Sequence, residues 1–190
     1  MSADWPVELR GVTESVVATL GPNGRWNAAA LGLHAGSPVT AKTWGNTRTR
    51  RNFHRQGGGV VQFTRDPELF TEAALTVHEG DEPVFDGVDA WVEVDVERVA
   101  AGEEDGTEWE EWRLTPVDAG VERRVVPTTN RGFAAVVEAT VAASRLGVEA
   151  FDQAELRSRL DYFTEVVRTC GGEAERDAID RVLELTEEAR

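Results

Sequence analysis

One change of hydrophobic period, about two-thirds of the way along the chain, constrains the fold more than any other feature. Up to residue 126, apolar residues come in short runs or alternate with polar ones, the period of a strand. From Asn130 onward they recur at helical spacing. The first region predicts strands over Val12–Leu20, Trp26–His34, Val39–Trp44, Gly59–Thr64, Ala90–Val99 and Glu108–Pro116, with a short β segment in Val117–Val126. Gly21-Pro22-Asn23-Gly24 is a turn signal that makes the first two strands a hairpin. One short helix, Glu68–Leu75, interrupts them, with Asp66 as N-cap and Pro67 at its first position. Glu79–Gly87 reads as a polar loop and Gly102–Thr107 as a turn. The last region predicts helices over Asn130–Leu146, Gln153–Thr169 and Glu173–Arg190. Asp152 and Glu155 form a capping box, and Gly171-Gly172 is a break. Strands without strand–helix–strand alternation argue for an α+β chain whose antiparallel sheet closes into a small barrel. The expected division is 1–126 for the barrel and 127–190 for a helical subdomain packed on it.

Charge narrows what such a fold can meet. The chain has 190 residues, 35 acidic against 20 basic, and a formal net charge of −15. That balance argues against general binding to nucleic acid or to an anionic membrane. Lys42 is the sole lysine. An acidic surface nearly free of lysine reads as halophilic adaptation, because molar salt screens the repulsion among carboxylates. A generic acidic protein, or a genome that favours arginine codons, gives the same composition. A single cysteine, Cys170, leaves no internal disulfide and no multi-cysteine zinc site, and it is read as a packing residue. No apolar run reaches membrane-spanning length and the N-terminus lacks a signal-peptide core, so the expected location is cytoplasmic.

The chemistry concentrates between Pro38 and Thr64. Two strand-like runs flank Gly45–Gln56, which carries Thr47, Thr49 and Asn52 among Arg48, Arg50, Arg51 and Arg55. Hydroxyls, an amide and guanidiniums at a strand-to-helix junction suit a phosphate, since helix N–H groups and forked arginine bonds both favour an anion. A basic, solvated helix face gives the same spacing, and the residues alone leave both readings open. Ala28, Ala29, Ala30 and Gly32 are small for a strand; either a planar ligand or a closely packed element lies against them. Trp26 and Trp44 border these strands, where core packing and ligand contact are both open. His34, His54 and His78 have no metal-ligand spacing, and no nucleophile elbow, P-loop or dinucleotide fingerprint occurs. Gly57-Gly58-Gly59 reads as a hinge before Val60. Glu110-Glu111 reads as a solvated acidic face.

Several of these segments, taken in order, resemble an archaeal family of uncharacterised FMN-binding split β-barrel proteins, in a haloarchaeal-type form. The resemblance rests on Asn27-Ala28-Ala29-Ala30-Leu31-Gly32, Gly45–Phe53, Val60–Phe63 and Asp66-Pro67 with Phe70. Thr129-Asn130-Arg131, Glu138 and Ser144-Arg145-Leu146 extend it. It departs from the pattern in lacking a proline near Ala30. The resemblance implies a flavin reductase-like split barrel and non-covalent FMN at a homodimer interface. It implies that Gly45, Thr47, Arg48, Thr49 and Asn52 hold the phosphate and that Asn27 to Leu31 run beside the ring. Trp44 is a candidate for the aromatic ligand, and Asn130 and Arg131 for the flavin or the partner chain.

Three functions are carried forward. The first is an FMN-dependent oxidoreductase with an NAD(P)H or small-molecule redox partner, in which no protein acid or base is identified. The second is a non-enzymatic FMN carrier or redox sensor. The third is an interaction module whose helical tail forms the partner surface.

Overall fold

The computed structural model describes residues 3–104 and 106–188. Asp105 of the expected turn, the first two residues of the chain and the last two of the expected final helix lie outside them. Two compact units emerge, one of residues 3–64 and 77–125, the other of residues 65–76 and 126–188.

The first unit is an antiparallel split β-barrel. Its strands are β1 (Val12–Leu20), β2 (Trp26–His34), β3 (Val39–Trp44), β4 (Gly58–Phe63), β5 (His78–Gly80), β6 (Ala90–Glu104) and β7 (Thr107–Val121). The order β1-β4-β6-β7-β3-β2 closes through a β1–β2 ladder, and β5 adds to the edge of β2. Helix α1 (Arg48–Gln56) connects β3 to β4. The alternation seen in the sequence puts Val17, Leu33, Ala41, Val61, Val92, Val94 and Leu114 in the interior. Phe53 comes down from α1 onto Trp112 at 5.2 Å, edge to face. Burying a phenylalanine of this kind is worth about 2–3 kcal/mol, so α1 is fastened to the barrel by its own apolar side.

Three details differ from the sequence reading. The expected loop begins with a three-residue strand, β5, too short to show a period. Gly102 and Thr107 lie within strands, because β6 and β7 pair as far as Glu104↔Thr107. Trp109 packs over Gly102, where a Cβ would stand 2.6 Å from its ring. Gly58 and Gly59 belong to β4 and permit close approach of neighbouring strands, a Cβ on Gly59 meeting the Ala18 carbonyl at 2.9 Å.

The second unit is helical: α2 (Pro67–Leu75), α3 (Arg131–Ser144), α4 (Gln153–Cys170) and α5 (Glu173–Glu188). Asp66 caps α2 through Glu68 and Leu69 N–H, and Asp152 caps α4 through Ala154 and Glu155 N–H. Small residues on α3, among them Ala135, Ala139 and Ala142, let it pack closely with Leu156, Leu160, Val167, Ile179 and Val182. Arg181 reaches Glu72 at 2.7 Å, which ties α5 to α2. Among the described residues no helix is long and apolar enough to cross a membrane.

Candidate functional site

The site is built around the beginning of α1. Gly45, at φ +63°, takes a left-handed conformation that a side chain would resist, and its N–H bonds the Glu108 carbonyl at 2.7 Å. Thr47 then caps α1 by accepting from Arg50 N–H at 3.2 Å. The first turn carries no acidic residue. Helix geometry leaves the N–H groups of Arg48 and Thr49 without intrahelical acceptors, so this end is suited to an anion.

Thr49, Asn52 and Phe53 face the barrel, and that phase divides the basic residues of α1. Arg50 and His54, one turn apart, turn toward β7. There Glu110, only 2% exposed, accepts from Arg50, from Arg98 at 2.9 Å and from His54 at 2.8 Å. Burial pushes the Glu110 carboxyl up, but the hydrogen bonds from Arg98, His54 and Arg50 outweigh it and hold the group below its ordinary value. The solvated face expected at Glu110 is therefore a buried ionic joint. Strand alternation carried the signal, because Trp112 and Leu114 are core residues and Glu110 shares their face.

The other side of α1 meets β1, β2 and β5. Asn52 donates to Thr19 Oγ1 at 2.9 Å, and Arg55 donates to Asn52 Oδ1 at 2.9 Å and to the Leu20 carbonyl. Arg48 reaches Glu79 of β5 at 2.8 Å. Glu79 also accepts from Asn23 Nδ2 at 3.1 and 3.3 Å. Arg51 turns back to Asn46, donating to its carbonyl at 2.6 Å.

Between these groups the barrel is split. β1 pairs with β2 along its whole length, Leu20↔Trp26 to Val12↔His34. On the opposite edge β5 covers Trp26–Ala28 and β3 covers only Leu33 and His34. Among the described residues no strand pairs with Ala29–Gly32 on that side. Strand β3 diverges from β2 as it runs to Trp44, and α1 begins just beyond. The split is thus bounded by an open stretch of β2 backbone, the end of β3, the first turn of α1 and Glu79.

Of the residues singled out in the sequence, Ala29 to Leu31 lie on the open stretch of β2, Asn27 and Ala28 are paired with β5, and Trp44, Thr47 and Arg48 lie at the end of β3 and the start of α1. Ala28 is buried, Ala29 packs against the barrel core and Leu31 is part of it. Trp44 is 43% exposed at the lip, beside Lys42, whose ammonium lies over Trp109 at 4.3 Å. Thr49 and Asn52 are buried under α1. Asn130 caps α3 by accepting from Gly132 N–H at 2.6 Å, and Arg131 lines a groove of the helical unit with Glu138, Tyr162 and Phe163. A larger cavity in that unit, about 590 Å³, is lined by Leu75, Leu146, Gln153, Arg157 and Leu185 among others and holds none of the predicted site residues. Its Gln153 amide braces the Gly147–Phe151 loop, and Ser144 and Thr186 donate to their own helices. The split, with open backbone and a helix start, is the better-furnished site.

The sequence matches the "Protein of unknown function (DUF447) N-terminal domain" over residues 13–123 and "Protein of unknown function (DUF447)" over residues 130–184. The chain belongs to the DUF447 family. Among solved structures, the FMN-bound DUF447 protein MM1853 of Methanosarcina mazei is 23% identical. The match covers 93% of this chain and 96% of that one, with a TM-score of 0.79. That likeness fixes the fold of the DUF447 chain. The styrene monooxygenase flavin reductase of Pseudomonas putida S12 is 14% identical, with 58% and 79% of the chains covered and a TM-score of 0.41. An FMN-binding protein of Thermus thermophilus is 15% identical, with 64% and 81% covered and the same score. Both are too distant to bear on function.

Proposed function

We propose that this protein is an FMN-binding flavoprotein, a flavin reductase-like oxidoreductase. The observation that carries the reading is the stretch of β2, Ala29–Gly32, left open on its β3–β5 edge beside a helix start with no acidic residue in its first turn. Strand N–H and C=O groups can meet the polar edge of a ring, and the first turn of α1 can meet a phosphate. The donor set fits FMN: Thr47, Arg48 and the first-turn N–H groups toward the phosphate, and the backbone of Asn27 to Leu31 toward the ring, with Trp44 at the lip. Thr49 and Asn52, on the buried side of α1, belong to the same phosphate set, and Asn52 also ties α1 to β1 through Thr19. FMN supplies the hydride or electron chemistry when bound, and the chain positions and solvates it. A DUF447 protein of this fold binds FMN, which supports the reading.

The same proposal includes a homodimer with FMN at the interface, with Asn130 and Arg131 toward the flavin or the partner chain, and an NAD(P)H or small-molecule partner. It also includes a cytoplasmic, halophilic, haloarchaeal-type protein, with the flavin site in residues 1–126 and a helical subdomain in 127–190. An absorbance spectrum of the purified protein in high salt tests the core of it. Flavin bands that survive desalting are expected. Their absence, together with no quenching of added FMN fluorescence, overturns the reading. Bleaching of the bands by NAD(P)H is the expected sign of the oxidoreductase; its failure leaves the site to a flavin carrier or redox sensor.

A further inference from the structure

The residue that faces Arg48 across the split is a glutamate, and its carboxylate is held there. Glu79 lies in β5 opposite Asn27, in register with the strand that borders the split. Its side chain is 18% exposed, contacts Arg48 at 2.8 Å and accepts from Asn23 through both oxygens. Its backbone carbonyl accepts from Arg25 at 3.0 Å, which fixes the strand from the β1–β2 turn. Glu79 is therefore anchored by groups that belong to the barrel and not to any ligand.

We propose that Glu79 is an internal competitor for Arg48, setting how strongly the site favours a phosphorylated flavin over an unphosphorylated one. The inference rests on the FMN reading above. An anion on the first turn of α1 must share the Arg48 guanidinium with a carboxylate that cannot easily withdraw, and like charges sharing a site oppose each other. The fixed charge lowers the gain from a phosphate dianion and leaves the gain from the ring untouched. It also shapes the salt response. Screening weakens the Arg48–phosphate attraction and the Glu79–phosphate repulsion together, so the net affinity changes less with salt than at an arginine without a carboxylate. In a chain with net charge −15, a site built this way keeps its ligand preference as ionic strength varies.

The test is a pair of fluorescence titrations, with FMN and with riboflavin, on the full-length wild type and on Glu79→Gln. Glutamine keeps the size and the ability to accept from Asn23 while removing the charge. The expected result is an FMN Kd lowered roughly three- to tenfold in dilute buffer, a riboflavin Kd unchanged, and a smaller gain in molar KCl. FMN affinity that is unchanged or weaker, or riboflavin affinity that rises equally, overturns the inference. Asn23→Ala is the second variant: it frees the Glu79 carboxylate to turn to solvent and should tighten FMN by a smaller factor, and unchanged or weaker binding there also counts against the inference. Melting curves verify that both variants fold. If the wild type binds neither flavin, the FMN reading itself fails; if it binds FMN and neither variant tightens, only the role of Glu79 fails.

Discussion

Two arginine–glutamate pairs on opposite sides of helix α1, Arg50–Glu110 and Arg48–Glu79, have surroundings that give them different work. Glu110 is 2% exposed and satisfied by Arg50, Arg98 and His54. Glu79 is partly open, and Arg48, which it meets, is about half exposed. The Glu110 carboxylate has several donors and little water to return to, so it functions as a joint between α1, β6 and β7. The Arg48–Glu79 pair joins the first turn of α1 to β5 and is partly open to solvent, which screens it. A salt bridge in a static structure does not state its role; the number of donors and the access of water do.

The largest effect should come from breaking the buried joint. Glu110→Ala should cost about 2–3 kcal/mol in a denaturant titration. The value is at the low end for a buried pair because Arg98 and His54 can return to water. A loss below about 0.5 kcal/mol would place Glu110 in the same class as the exposed pair.

Acid should sharpen the same contrast. The folded Glu110 carboxyl titrates below its ordinary value, so on acidification the unfolded chain takes the proton first. Its stabilisation is full above the ordinary value of 4.5 and disappears as pH falls through the lower folded value. Glu110→Gln should therefore reduce the fall in stability between neutral pH and about pH 3. An identical pH profile in the variant would remove Glu110 from the acid response.

Arg48→Ala should do the opposite of the Glu110 variant. FMN binding should weaken by about 1–2 kcal/mol, read by fluorescence titration, while stability changes by less than about 0.5 kcal/mol. Equal losses in both would make Arg48 structural and erase the difference between the two sides. The smallest effect expected is that of Gly45→Ala, at the turn that feeds both sides. Nothing lies within 4 Å of its added Cβ, so the cost is conformational, about 1 kcal/mol in a thermal or denaturant melt. A neutral substitution would show that α1 tolerates a different approach from β3.

Much of the fold was legible because it is written in contiguous residues. Gly21-Pro22-Asn23-Gly24 joins β1 to β2 as the turn chemistry requires, and Asp66-Pro67 and Asp152 start helices where their caps predict. β5 escaped because three residues carry no period, and the tip of the β6–β7 hairpin, Ala100–Glu104 with Thr107, escaped because Gly102–Thr107 reads as a turn. At the site, Arg48 and Thr47 were legible as a helix start beside a strand end. Glu79 was hidden in a polar loop, and Glu110 was hidden in an acidic run, although the alternation that buries Trp112 also buries it.

By itself the sequence determined the elements, their caps and the arginine-rich start of α1, because each depends on neighbours a few residues away. Tertiary structure decided which arginine meets which glutamate and where β2 is left open. Arg48 and Glu79 are 31 positions apart, and Arg50 and Glu110 are 60. Their meeting depends on strand order and register, which bring distant segments onto opposite sides of one helix. The open stretch of β2 exists only because β3 and β5 stop short of each other on the same edge.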